Sequence, residues 1–193
     1  MTADHSQFLL ARIDRLESLH SIQQLPIRYA LAVDGRDLDA WVNLFVDNVN
    51  CGRHGTGRDA LKAFIEPQLR TFYRSIHQIC GHRIEFAGSD HASGIVYCRA
   101  EHEDRGKWIV MAIAYFDDYA RRDGEWLFVR RREKHWYSAD WQERPTAPFQ
   151  DWAGHDHPPR LPADFPTWSG FWDGSEAGEV AALTAEPVGG KES

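Results

Sequence analysis

Apolar residues in the first part of the chain recur at steps of three and four, which is the spacing of an amphipathic helix. Residues 6–34 carry the longest such stripe, and Pro26 falls inside it. Because proline lacks a backbone N–H and clashes with the preceding helical turn, we predict two helices that meet at this residue. Shorter stripes predict helices over 37–46 and about 59–73, the second with Asp59 as its cap.

From residue 75 onward the hydrophobic pattern is that of β-strands. Short polar turns separate the segments, and the last turn contains Asp123-Gly124, a strong hairpin signal. Helices followed by antiparallel strands predict an α+β fold with the helices on one face of a curved sheet. The predicted strands, all rich in Ile, Val, Tyr, Phe and Trp, are 76–86, 93–104, 107–119 and 126–137.

The end of the chain has a different composition from the rest. Seven of the nine prolines and four of the eight tryptophans fall in residues 139–193. We therefore predict one domain over 1–138 and, beyond it, an extended aromatic arm with a disordered end. Such an arm would bury its tryptophans against the domain or a neighbouring subunit.

Composition and charge exclude several classes of protein. A formal net charge of −7, with no basic cluster beyond 130–133, disfavours nucleic acid as a partner. No apolar run approaches the roughly 20 residues of a membrane span, and no secretory signal is evident. Three cysteines without metal-ligand spacing favour reduced thiols and a cytoplasmic location.

Pairing the predicted strands brings candidate residues together. A turn centred on Ser89-Asp90 places His77 directly opposite His102, with Cβ atoms about 4.5–5.5 Å apart. A bulge near Gly81 would shift this register by one residue.

The Asp123-Gly124 hairpin places Arg131 opposite Phe116 and His135 opposite Ala112. Alanines on that face would leave the space that a ligand cavity needs.

Four segments resemble, in order, the SnoaL-like branch of the nuclear-transport-factor-like superfamily: "IRYALAVDGRDLDAWVNLF", "SIHQICGHRIEF", "SGIVYCRAEH" and "YFDDYARRDGEWLF". The resemblance covers about residues 10–138. It implies a cone-shaped α+β barrel, in which N-terminal helices close a curved sheet around a deep pocket, and it implies a homotrimer. Ring-hydroxylating dioxygenase small subunits share this fold without an active site, so the fold alone does not give the function.

Within that branch the pattern is similar to two dehydratases. Scytalone dehydratase has a catalytic histidine pair that corresponds to His77 and His102, and an orienting aspartate that corresponds to Asp34. Bile-acid 7α-dehydratase is similar at Tyr29, Asp34 and His77, but Ala100 stands where that enzyme has an acidic residue.

Hexachlorocyclohexane dehydrochlorinase is similar at Asp34 and His77. The basic residue on its last strand corresponds to Arg131, whereas Tyr29 stands in place of its lysine.

Elimination of water β to a carbonyl requires a base, an acid for the leaving hydroxyl and donors for the enolate oxygen. We assign His77 as the base, because histidine titrates near neutral pH, and Asp34 as the carboxylate that orients it. Tyr29 or His102 would be the acid or the carbonyl donor. The candidate substrate-binding residues are Arg131 and His135.

Each candidate also has a purely structural interpretation. Asp34 is placed to cap a helix, and Tyr29 continues a core stripe. We interpret His82, His54, His91 and the histidines of 155–157 as surface residues. His77, His102 and Asp34 lack a sequence-local ligand pair, so we expect no metal and no cofactor.

Three functions compete. The first is a cofactor-independent lyase, most simply a dehydratase of a hydroxylated polycyclic or aromatic ketone, either steroid-like or polyketide-like. The second is an isomerase or cyclase of the same fold, favoured if Asp34 faces the pocket without contacting His77. The third is a non-catalytic subunit or small-molecule binder, favoured by an open or side-chain-filled cone in which His77 is hydrogen-bonded to backbone.

Overall fold

The computed structural model describes residues 3–142 and 164–167. Within them the predicted α+β fold is confirmed, with helices beside a curved antiparallel sheet of strand order β1-β2-β3-β4 that does not close on itself. None of the described helices combines the length and apolar character that a membrane span requires. The elements are α1 (Ala3–Asp34), α2 (Leu38–Val42), a 3-10 turn (Gly52–His54), α3 (Arg58–Leu69), β1 (Arg74–Phe86), β2 (His91–Asp104), β3 (Lys107–Arg122) and β4 (Glu125–Asp140).

Helix α1 is continuous through Pro26, so the prediction of two helices is wrong. Pro26 is fully buried, and its neighbours Ile22 and Leu25 belong to the core. Proline inside a helix removes one backbone hydrogen bond. Packing of this apolar face against the sheet offsets that loss, because tertiary contacts can outweigh local propensity.

The helices pack on one face of the sheet, which we call the inner face. Phe128 of β4 lies on this face. Its ring centroid is 5.1 Å from that of Phe45 and 6.2 Å from that of Tyr29. A second apolar cluster continues along the inner face of β2 and β3. Its buried members are Val96, Cys98, Ala100, Ile109, Met111, Ile113 and Tyr115.

The register of β1 and β2 differs from the prediction. His77 pairs with Ala100, and His102 pairs with Ser75, so the two histidines are not directly opposite. The turn between the strands accounts for one residue of the shift, and a bulge between Ile79 and Gly81, at the place where one was considered, accounts for another. The offset is two residues, so both histidines still lie on the inner face, with ring centroids 5.6 Å apart.

The same bulge turns His82 to the inner face. Residues five apart on a regular strand point to opposite faces, but the inserted residue restores the orientation of His77 at His82. His82 pairs with the buried Val96 and is partly buried. Its interpretation as a surface residue is therefore wrong.

The register of β3 and β4 also differs, because irregularities interrupt this pair. Arg131 pairs with Asp117, not Phe116, and His135 pairs with Ile113, not Ala112. Ala112 consequently lies on the opposite, outer face of the sheet. The alanines therefore leave no space beside Arg131, which lies among aromatic rings instead.

The described part of the C-terminal arm, residues 164–167, packs on this outer face. The ring of Phe165 lies 6.3 Å from that of Phe116 and 5.8 Å from that of Trp136. Lys134 Nζ lies 2.8 Å from Asp164 Oδ2. These contacts agree with an arm that packs on the domain, whereas the rest of the predicted arm, 143–163 and 168–193, lies outside the described residues.

Replacing Leu25 with alanine should lower the free energy of unfolding by about 2–5 kcal/mol, because Leu25 is 1% exposed beneath Pro26. Leu31→Ala is the matched control on the same helix, since Leu31 is 69% exposed; a change of no more than about 0.5 kcal/mol is expected there. Urea denaturation measures both. Equal effects would show that this face of α1 is not the packed one.

Candidate active site

Asp34 and His77 form a hydrogen-bonded pair at the junction of α1 and β1. Asp34 Oδ1 lies 2.7 Å from His77 Nδ1, and Asp34 Oδ2 accepts from the backbone N–H of His77 at 2.8 Å. Gly35 allows α1 to end there, because a Cβ at that position would lie 2.9 Å from Leu31 O. The carboxylate makes Nδ1 the protonated nitrogen, which leaves Nε2 with a lone pair.

Two further residues hold the Asp34 carboxylate. Ser75 Oγ donates to Asp34 Oδ1 at 2.8 Å, and Arg36 Nη1 donates to Ser75 Oγ at 3.1 Å. Burial alone would raise the pKa of Asp34, but the hydrogen bonds and charge of His77, with the bond from Ser75, outweigh it. The pKa of Asp34 is therefore lowered, and the group is a carboxylate at neutral pH.

His102 and Tyr29 both lie beside the His77 ring. Both meet it edge to face, with centroid distances of 5.6 Å for His102 and 6.4 Å for Tyr29. His102 is buried and stacks edge-on with Phe72 at 4.6 Å. Burial raises the pKa of Tyr29 to about 12, although Arg131 acts in the opposite direction. Tyr29 is thus a phenol, and a proton donor, at any ordinary pH.

Arg131 is a buried cation, unlike its neighbours in the basic run. Its Nη2 and Nε donate to Asp117 at 2.7 and 2.9 Å, and the two side chains are 4% and 0% exposed. The exposed Arg130 and Arg132 face Asp118 instead. Burial would lower the pKa of Arg131, but Asp117 more than offsets this and raises it.

Three aromatic rings surround the Arg131 guanidinium. Its Cζ lies 4.3 Å from the ring centroid of Tyr29, 4.2 Å from that of Tyr115 and 4.4 Å from that of Phe128. Arg131 Nη1 is buried and has no hydrogen-bond partner within the described residues. Tyr29 therefore contacts both the His77 ring and a guanidinium with one donor nitrogen that has no partner in this part of the chain.

His135 is buried on the inner face, four residues beyond Arg131 on β4. The structure thus brings Asp34, His77, Tyr29 and His102 into one cluster, joins Arg131 to it through Tyr29, and places His135 further along the same face.

The sequence reasoning missed several residues that shape this site. Ser75 could have been found by strand alternation, since it lies two residues before His77 on the same face. Asp117 could have been found only with the correct β4 register. Tyr115, which packs against Arg131, could likewise have been found only with that register.

Other features of the described residues lie apart from this cluster. Residues 3–142 and 164–167 contain no group of three or more His, Cys, Asp or Glu residues that could hold a metal ion. A cavity of about 230 Å³ opens largely on the outer face. It is lined by Arg83, Glu85, Ser93, Gly94, Ile95, Phe116, Asp117, Asp118 and Arg132.

The fold is that of a known class. Residues 14–132 match the SnoaL-like domain family, and the chain belongs to that family. The resemblance stated from the sequence motifs is thereby confirmed.

The particular proteins that the chain resembles include dehydrochlorinases. Gamma-hexachlorocyclohexane dehydrochlorinase of Sphingobium indicum is 29% identical over 129 residues, which are 63% of this chain and 83% of that protein. The structure of hexachlorocyclohexane dehydrochlorinase from Novosphingobium barchaimii has 25% identity and a TM-score of 0.61, over 69% of this chain and 96% of that one.

A protein of Novosphingobium aromaticivorans assigned as a scytalone dehydratase has the same fold. It is 24% identical with a TM-score of 0.60, over 69% of this chain and 93% of that one.

The hydrogen bonds to Asp34 should make folding stability depend on acid pH. A carboxyl whose pKa is lowered in the folded state contributes stability above its ordinary pKa of about 4, and this is lost as the pH falls through the folded-state value. Asp34→Asn should therefore flatten the decline of the unfolding free energy below about pH 4. Ser75→Ala, which removes one of the bonds, should flatten it less. Denaturant titrations at several pH values measure this, and three identical slopes would contradict it.

Proposed function

We propose that the protein is a cofactor-independent lyase that eliminates a small leaving group by general acid–base catalysis. The observation that supports this proposal most directly is the 2.7 Å contact between Asp34 Oδ1 and His77 Nδ1. An isomerase that uses Asp34 itself as base is less favoured, because Asp34 Oδ1 is already hydrogen-bonded to the His77 ring. A non-catalytic subunit is also less favoured, because the His77 ring bonds to the partly buried Asp34 carboxylate rather than to backbone.

In this mechanism His77 Nε2 takes the carbon-bound proton. The electron pair of the broken C–H bond forms the new double bond, and the leaving group departs from the neighbouring carbon with its own pair. The resulting imidazolium keeps Nδ1–H on Asp34, whose negative charge stabilises it. The side chain of His77 is only 7% exposed, so this charge interaction is little screened by water.

Tyr29 is the proposed acid, with His102 as the alternative donor. A leaving hydroxide is a poor leaving group unless it is protonated, and the Tyr29 phenol lies beside both His77 and Arg131. Arg131 Nη1 is a donor without a partner within the described residues and suits a substrate oxygen on which negative charge develops. His135, further along β4, is the second proposed substrate contact.

The proposed substrate is a hydroxylated ketone with an aromatic or polycyclic body, and the reaction is dehydration. The apolar inner face of β2 and β3 supports such a body, because sites for small molecules are mostly apolar with a few polar groups. Steroid-like and polyketide-like ketones both meet this description.

Dehydrochlorination is the competing reaction. Chloride leaves without a proton, so the cationic Arg131 alone could assist it. The similarity to hexachlorocyclohexane dehydrochlorinases favours this alternative. Parallel assays with a β-hydroxy ketone and with a chlorinated ring compound separate the two, because only the first should depend on the Tyr29 hydroxyl.

Replacing His77 with glutamine should reduce turnover about a hundredfold or more, which is the contribution of a positioned base. Asp34→Asn should also reduce turnover strongly while the protein stays folded by circular dichroism. His91→Gln, an exposed histidine of β2, is the matched control and should retain full activity. Undiminished turnover in folded His77→Gln would exclude it as the base.

We further propose a homotrimer in the cytoplasm that acts on a small molecule. The three cysteines are free, which fits a reducing compartment. The outer face exposes apolar side chains that a neighbouring copy could cover, namely Ile76, Tyr97 and Trp141.

Light scattering should accordingly give three times the 22.2 kDa mass of one chain. Tyr97→Glu should lower that mass, because it places a charge on the outer face, whereas Tyr73→Glu at an exposed site outside the sheet should not. A monomer mass for the unaltered protein would refute the trimer.

A further inference from the structure

A buried chain of hydrogen bonds runs from Arg131 across the inner face to β1. Arg131 Nη2 and the hydroxyl of Tyr119 both donate to Asp117 Oδ2, at 2.7 and 2.8 Å. Tyr119 Oη in turn lies 2.9 Å from His82 Nε2. Four residues on three strands therefore form one connected unit, and only Arg131 reaches the Tyr29 ring.

The direction of these bonds follows from the chemistry of the groups. The carboxylate oxygens of Asp117 pair with a guanidinium and accept hydrogen bonds. The Tyr119 hydrogen must therefore point at Asp117, which leaves the phenol oxygen to accept from His82. His82 is consequently the Nε2–H tautomer. Burial, as the largest cause, lowers the pKa of His82 to about 4, so the ring is neutral at physiological pH.

The contact between Tyr119 and His82 has room to form because residue 94 is glycine. A Cβ on Gly94 would lie 2.8 Å from Arg83 O, 3.0 Å from His82 Nε2 and 3.1 Å from Tyr119 Cε2. Gly94 does not have a positive φ, so the need is for space and not for backbone freedom. A side chain there would separate the two rings.

We propose that Tyr119 and His82 are positioning residues that hold Asp117, and through it Arg131, in one orientation. Asp117 has two donors from Arg131, and the Tyr119 hydroxyl adds a third that stops the carboxylate from turning. With Nε and Nη2 fixed on Asp117, Nη1 is the one guanidinium nitrogen left to meet a bound molecule. The catalytic consequence rests on the proposed function, whereas the orientation itself does not.

The orientation can be measured without a substrate, by NMR of the protein labelled with ¹⁵N-arginine. A guanidinium clamped at two nitrogens rotates slowly about its Cζ–Nε bond, so Arg131 should give separate Nη signals. The Arg131→Lys variant identifies them by their loss. In Tyr119→Phe the rotation should be about tenfold faster, the effect of losing one hydrogen bond to a charged group.

The histidine gives an independent pair of variants. His82→Leu removes the donor to Tyr119 and should also speed the rotation, whereas His82→Gln offers an amide N–H in its place and should restore the slow rate. Tyr73→Phe, at an exposed tyrosine, is the control and should leave the Arg131 signals unchanged. Unchanged rotation in folded Tyr119→Phe and His82→Leu would overturn the proposal.

Activity then tests whether the effect passes through Arg131. Tyr119→Phe should lower kcat/KM about tenfold in the unaltered protein, again the size of one hydrogen bond to a charged group, but should have little further effect when Arg131 is already lysine. An equal loss in both backgrounds would overturn the positioning role. If no substrate is turned over at all, the proposed function fails, and the rotation rates still decide this inference.

Discussion

The Asp34 carboxylate is the interaction on which the rest of the site depends. Its two oxygens bind both the ring and the backbone N–H of His77, and Ser75 adds a third bond. The last residue of α1 is thereby tied to the first part of β1. One group consequently fixes three things: the place where the helix meets the sheet, the tautomer of the histidine and the charge beside it. The capping interpretation of Asp34 is wrong, because its carboxylate bonds to His77 and Ser75 of β1. Asp37 is the residue that caps the next helix, by accepting from the Ala40 N–H.

A second constraint comes from the buried charge on the last strand. An unpaired guanidinium would be costly among Tyr29, Tyr115 and Phe128, because a buried charge needs a partner. Asp117 supplies that partner from the adjacent strand. The pair is neutral as a whole, yet its positive end is turned toward Tyr29, so the pair adds a dipole to the interior without adding net charge.

The fold could be predicted from the sequence because it depends on local signals, whereas the pairing of Asp34 with His77, 43 residues further along the chain, was implied only by the family resemblance. Period-two strands, an Asp-Gly hairpin and a helix end at Asp34 are all readable within a few residues. The exact cross-strand partners were not readable, since one inserted residue changes every pairing beyond it. His102 was assigned to the correct face but the wrong partner, and Arg131 to the wrong neighbour altogether. For the same reason, neither the contact of His82 with Tyr119 nor that of Asp117 with Arg131 could be predicted. The predicted helix break at Pro26 was wrong for the opposite reason. There a strong local signal was outweighed by packing that exists only in the tertiary structure.

The bulge between Ile79 and Gly81 has a consequence for how this protein can change over generations. It divides β1 into two half-strands whose inward positions are set separately. The first contains His77 and ends in Ile79, and the second begins with His82. Substitutions that alter the chemistry of one half need not disturb the alignment of the other. Deletion of the single extra residue would reverse the orientation of every side chain in one half, so that inward residues would point outward. Diversification of this interior is therefore expected to proceed by exchange of side chains within each half, while the length of the strand stays fixed.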